Sequence, residues 1–507
     1  MPNIVCWLRI DTSSWIWVCP PPSRTDIRLV PRFLYRMISV GLFGIGLDTY
    51  WPQFDGLRER LLGYQHQIAA QLREVGCEVV DVGLVDDPQA ARDAAEQLRT
   101  ASVELVILYV STYALSHTVL PVVQRAGAPV VVLTLQPTAR IDYAAINALG
   151  DRGRMTGEWL AYCQACVAPE IASVLRRTGH PLRQVTGYLG EHHVTVQISE
   201  YIHAARLVAG LRNARIGLLG HYYNGMLDVY SDLTRLAGVL GCHFELREFG
   251  ELVALRQNLS SEALDAKRSE FRERFDVSPD CEDSELERAA STAVALDALV
   301  RNNALDALAY YFEAADDAPA QDVVTSLIPG LTLLTGNGVP CAGEYEVKNA
   351  LAMKALDLLD AGGSFSELYA IDFADDVVLW GHDGPAHFRM ADGQVGLVPV
   401  PVYHGKPGKG LSIQMAVASG PVTLLSVCEG GSGDVFFCVA EGEAVEGETL
   451  QIGNTNSRYR FSLSAREFVE QWSAAGPNHH CAIGRGHLGG VLAKATDLLG
   501  IDCKRIC

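Results

Sequence analysis

A chain of 507 residues, 49% hydrophobic and 20% charged, is globular in composition and too long for a single hydrophobic core. Its formal net charge of −19 argues against nucleic acid or an anionic membrane surface as main partner, because both call for clustered positive charge. The thirteen cysteines are scattered, their number is odd and no secretory pattern precedes them, so the expected compartment is reducing and cytoplasmic.

The first 36 residues lack an apolar run long enough to span a bilayer, and no later segment supplies one. Met37 stands directly before ISVGLFGIG, a strand-like run, so residues 1–37 read as an extension outside the fold and Met37 as the functional start. From residue 38 strands and helices alternate. ISVGLFGIG, CEVVDVGLV, VELVILYVS and PVVVLTLQP are short apolar runs separated by amphipathic stretches, the signature of a parallel sheet covered on both faces. The right-handed crossover rule turns that pattern into a doubly wound domain over residues 38–205.

A helical stretch over 158–177 contains Cys163 and Cys166, which read as buried helix residues because no second C-x-x-C pair completes a zinc site. ARIGLLGHYYNGM, HFELREFGEL and ALDALAYYFEA then form the strands of a second α/β domain, 206–360, with a long charged helical segment over 261–301. Residues 361–507 change character. Short strands with Gly, Pro and Asp between them predict a mostly β, barrel-like C-terminal domain. The glycines at 41, 44 and 46 have neither dinucleotide spacing nor a helix opening directly after them, and no phosphate loop is present, so a nicotinamide enzyme is disfavoured.

Three clusters carry candidate chemistry. Glu344 in CAGEYEVKNA precedes a helix, whose positive end favours a carboxylate; Glu346 and Lys348 are less specific. Glu367 and Asp372 in SFSELYAIDF lie five apart, so in extended backbone they face opposite ways, and His382 follows at a strand end. His479 and His480 in PNHHC diverge if extended, so that one can bind a metal while the other meets substrate. Carboxylates with imidazole suit an octahedral ion such as Mn²⁺ or another divalent cation. Such an ion polarises a hydroxy-carbonyl unit, and a carboxylate can then move a proton between its two carbons through a cis-enediol.

These clusters resemble those of the L-arabinose and L-fucose isomerase superfamily, in order and over nearly the whole chain from residue 38. AGEYEVKNA is similar to the stretch bearing the first metal glutamate, GGSFSELYAIDF to that bearing the second, LWGH to a strand ending in Gly-x-His, and PNHHC to a C-terminal His-His. The resemblance implies a fucose isomerase-like fold and an aldose–ketose isomerase of carbohydrate metabolism, acting on a free pentose or 6-deoxyhexose. It implies Glu344, Glu367, His382 and His480 as metal ligands, and Glu344 with Glu367 or Asp372 as the proton-moving pair. In the fucose isomerase branch the second carboxylate is an aspartate, which keeps Asp372 in competition. The resemblance further implies a homotrimer or homohexamer with interface active sites, where Tyr50, Trp51 and Gln53 would join His479 at the substrate. The alternative is a catalytically inactive sugar-binding member of the same fold.

Overall fold

The computed structural model describes residues 37–311, 318–400 and 409–507, together with the backbone of 7–9 and 15–17, which pair as a short antiparallel ladder. The rest of the expected N-terminal extension lies outside the described residues. Strands β1 (Ser39–Ile45), β2 (Glu78–Val85), β3 (Leu105–Tyr109), β4 (Val130–Gln136) and β5 (Gln184–Tyr188) form one parallel sheet in the order β2-β1-β3-β4-β5. The apolar runs of β1, β3 and β4 are buried almost throughout because helices cover both faces of the sheet.

A second parallel sheet contains β6 (Arg215–Leu219), β7 (His243–Arg247), β8 (Ala307–Tyr310) and β9 (Cys341–Ala342), ordered β9-β8-β6-β7. Its strand order reverses between β6 and β8, and open α/β sheets place ligands at the C-terminal ends of strands beside such a reversal. Residues 205 and 206, either side of the expected boundary, both fall inside the helix His192–Asn213.

The last region is a closed barrel. Strands β10 (Gly362–Asp372), β11 (Val377–His382), β12 (Gly420–Glu429), β13 (Val435–Val445), β14 (Thr455–Phe461) and β15 (His480–Arg485) pair antiparallel in the cycle β12-β15-β10-β11-β14-β13-β12. Closure leaves no free edge among these six strands. A final strand, β16 (Asp502–Arg505), adds parallel to β13. Helix Val347–Asp357 is buried along its whole length, clamped between the second sheet and the barrel. Its close seat on β10 needs glycine at 363, where φ is +120° and a Cβ would lie 2.6 Å from the Met353 carbonyl oxygen.

Two expectations about helices are corrected. The single helix over 158–177 is two, Arg152–Leu160 and Ala168–Arg177, and Cys163 and Cys166 are joined as a disulfide in the turn between them. The charged segment 261–301 likewise divides into Ser261–Arg274, capped by the Ser260 hydroxyl, and Asp283–Asn303, with the short strand Asp276–Val277 between them. Among the described residues no helix is long and apolar enough to cross a membrane.

Candidate metal centre

The centre forms where β9 ends against the barrel. Glu344 and Tyr345, just beyond β9, both take left-handed backbone, with φ of +55° and +58°. Non-glycine residues seldom accept that conformation unless their surroundings enforce it. It turns the chain sharply into helix Val347–Asp357 with Glu346 as N-cap. The sequence expectation that Glu344 precedes a helix thus matches the structure.

Barrel register supplies the other groups. Glu367 of β10 stands opposite Gly381 of β11 on one side and His480 of β15 on the other. His382, the last residue of β11, follows that glycine. Antiparallel neighbours lie about 5 Å apart, which sets Glu367 beside His480, and His382 joins them from the strand end, where regular alternation no longer fixes its direction. Glu367, His382 and His480 each offer a ligand atom within 4.8 Å of the other two, and Glu344, His479 and His480 form a second such trio. The two trios share His480. They are also tied by Glu344, whose Oε2 lies 3.4 Å from His480 Nε2 and whose Oε1 lies 3.9 Å from His382 Nε2.

The imidazoles are held from behind. The Phe365 ring, two residues before Glu367 on the same strand face, packs against His382 and His480 with centroid separations of 4.3 and 4.5 Å. His382 Nδ1 donates to the Asp383 carbonyl at 3.0 Å, which leaves Nε2 as the acceptor facing Glu344. Cys481, next to His480 on β15, is directed to the opposite face by strand alternation, so the centre gathers oxygen and nitrogen donors.

Burial dominates the electrostatics. It pushes Glu344 up to about 7, aided by the neighbouring Glu367 and Asp228 carboxylates and opposed by His479. Glu367 is raised chiefly by burial, and His480 is driven well below its ordinary value by burial and the two adjacent histidines. Glu344 Oε2 and both ring nitrogens of His480 are buried without a hydrogen-bond partner. Orphaned buried acceptors are costly. A cation bound between Glu344 and His480 Nε2 would satisfy that oxygen and that lone pair, while Nδ1–H faces Glu346, so the residues fit a divalent metal. Carboxylate and imidazole donors favour a hard octahedral ion over a thiolate-type site.

Asp372 does not join this group. It is the exposed last residue of β10, where its carboxylate accepts from the backbone N–H of Ala374 and Asp375 in the following turn. An irregularity between Leu368 and Ala370 also shifts the strand's facing before Asp372 is reached. Tyr50, Trp51 and Gln53 sit beside the first sheet: Tyr50 packs edge-on to Trp51 and Phe54, Trp51 donates to Asp86, and Gln53 donates to the Thr49 carbonyl. His479 does reach the centre, with Nε2 3.9 Å from Glu344 Oε2.

Two acidic residues escaped the sequence reading. Glu346, treated there as unspecific, is fully buried, with Oε2 3.7 Å from His480 Nδ1; burial pushes it up to about 8. Asp228 meets His479 from 251 residues away, at 2.7 Å from Nδ1. No local pattern marks it.

A buried carboxylate–imidazole centre at the C-terminal edge of a parallel sheet, closed by an antiparallel barrel, makes a cluster that could hold a metal ion. No protein-family model matches the chain. It is similar to the sulfoquinovose isomerases of Priestia aryabhattai and Priestia megaterium (strain ATCC 12872 / QMB1551), 22% identical to each over 345 residues, or 66% of this chain and 73% of the relative. Among solved structures, the XylFII molecule aligns at 10% identity over 64% of this chain and 94% of its own, with a TM-score of 0.13. The apo-structure of D-lactate dehydrogenase from Escherichia coli aligns at 11% identity over 64% and 95%, with a TM-score of 0.15.

Proposed function

We propose that the protein is a metal-dependent sugar isomerase that interconverts an aldose and a ketose through a cis-enediol. The observation that carries this reading is the convergence of Glu344, Glu367, His382 and His480 on one buried cluster. The similarity to the two sulfoquinovose isomerases supports the reaction class. In this reading the four residues hold Mn²⁺ or another divalent cation. When bound, the ion would polarise the sugar's carbonyl and acidify the adjacent C–H.

The chain's own groups do the rest. One carboxylate of the Glu344/Glu367 pair takes the proton from the hydroxyl-bearing carbon, and the freed electron pair forms the C=C bond of the enediol. The same carboxylate returns a proton to the neighbouring carbon, and transfer of the hydroxyl proton completes the exchange. The Phe365 ring and the closed barrel keep water from the buried side, so the proton stays between donor and acceptor. The small sugar would be a pentose, a 6-deoxyhexose or, following the relatives, sulfoquinovose. An L-arabinose/L-fucose isomerase-type architecture, a division at 38–205, 206–360 and 361–507, and a trimer or hexamer in which Tyr50, Trp51 and Gln53 meet a neighbour's centre belong to the same proposal.

The test is ketose formation from a panel containing L-arabinose, L-fucose and sulfoquinovose, with metal-stripped and Mn²⁺-loaded protein. Turnover should depend on metal and vanish in Glu344→Gln with the fold retained. Absence of metal-dependent ketose across the panel would reject the proposal; retained polyol binding in that case would leave the sugar-binding alternative.

A further inference from the structure

The two adjacent histidines occupy different environments. His480 is wholly buried, whereas the His479 side chain keeps 36% of its surface exposed. His479 thus stands at the mouth of the centre, where a substrate arrives, and its orientation is set from one side. Asp228 Oδ2 accepts from the His479 backbone N–H at 3.0 Å and from Nδ1 at 2.7 Å. A proton on Nδ1 leaves the Nε2 lone pair open toward Glu344.

Asp228 is itself fixed in place. It belongs to the segment that follows β6, residues 220–232, on the ligand-facing end of the second sheet. The buried Lys348 ammonium donates to the carbonyls of Asp228 and Tyr230 at 2.7 and 3.1 Å. Glu429 accepts from the Asp232 N–H at 3.2 Å and lies 3.8 Å from Lys348 Nζ. A buried cation, two backbone carbonyls and a barrel carboxylate therefore pin the segment that presents Asp228. An ordinary surface ion pair has no such foundation.

We infer that Asp228 is a positioning residue that holds His479 in the Nδ1–H tautomer, so that Nε2 accepts a hydroxyl of the bound sugar beside Glu344. This rests on the isomerase reading and adds a division of labour: the buried histidines serve the metal, and the half-exposed one serves the substrate. The carboxylate-held imidazole would discriminate among sugars by whether a hydroxyl stands within its reach, since an acceptor covered by the bound sugar but left without a donor is penalised.

The test uses Asp228→Asn and Asp228→Ala in the full chain, with wild type measured first. Mn²⁺ alone is titrated calorimetrically. The sugar probe is the polyol made by reducing whichever aldose the wild type converts. Both variants should bind Mn²⁺ within about twofold of wild type, while polyol affinity and kcat/KM fall roughly ten- to a hundredfold, more in Ala than in Asn. A tenfold loss of Mn²⁺ affinity would overturn the inference by making His479 a metal ligand. Unchanged polyol binding and kcat/KM would overturn it by reducing Asp228 to a surface partner. Failure of the isomerase reading appears separately, as a wild type that neither binds Mn²⁺ nor converts any sugar.

Discussion

Metal binding should be coupled to proton release from Glu344 near neutral pH. Burial and two nearby carboxylates push Glu344 up to about 7 in the metal-free protein, whereas a carboxylate must be ionised to act as a ligand. About one tenth of Glu344 is ionised one pH unit below its pKa, so Mn²⁺ affinity near pH 6 should be about tenfold weaker than near pH 8. His480 contributes no proton to this slope, because its pKa lies well below the histidine norm and it is already neutral. Calorimetric titration near pH 6 in buffers of different ionisation enthalpy counts the protons released; close to one per Mn²⁺ is expected from Glu344, with any excess over that coming from Glu367, whose carboxyl burial also raises. Glu344→Gln should bind more weakly and lose the slope. Equal affinity at the two pH values, or a slope that survives in Glu344→Gln, would refute the assignment.

Four further outcomes are expected. In metal-free protein Glu344 holds its proton more tightly folded than unfolded, so stability should fall as pH rises from about 4.5 to about 7, by on the order of 3 kcal/mol. Glu346 adds in the same direction up to about pH 8; thermal melts across this range should show the fall, and Glu346→Gln should flatten it. Phe365→Ala removes the ring wedged between His382 and His480; it should cost about 3–5 kcal/mol in denaturant unfolding and weaken Mn²⁺ binding. Gly363→Ala should destabilise by about 1–3 kcal/mol, because it combines a left-handed φ with a clash against the Met353 carbonyl. Asp372→Asn should leave Mn²⁺ affinity unchanged and alter only the exposed turn; a tenfold loss would restore Asp372 as a ligand.

Much of the architecture was legible locally. Uninterrupted apolar runs such as VVVLTLQ marked strands buried on both faces, and the shift to short punctuated strands after residue 361 marked the barrel. Helix interiors were read better than helix ends. Residues 158–177 looked continuous because nothing in composition reveals that the chain turns there around Cys163 and Cys166. Glu367 could be separated from Asp372 only by the barrel, whose register sets one carboxylate between two histidine-bearing strands and leaves the other exposed at the strand's end.

The sequence by itself determined which residue types were available to a hard cation and which segments would be strands, since periodicity and donor chemistry are local properties. Tertiary structure decided the rest. His480 approaches Glu344 because a closed barrel brings β15 beside β10 and against the helix that follows Glu344. Asp228 reaches His479 from a loop whose carbonyls Lys348 anchors. Such contacts span more than a hundred residues, and their geometry follows from strand register and helix packing, which no short stretch of sequence encodes.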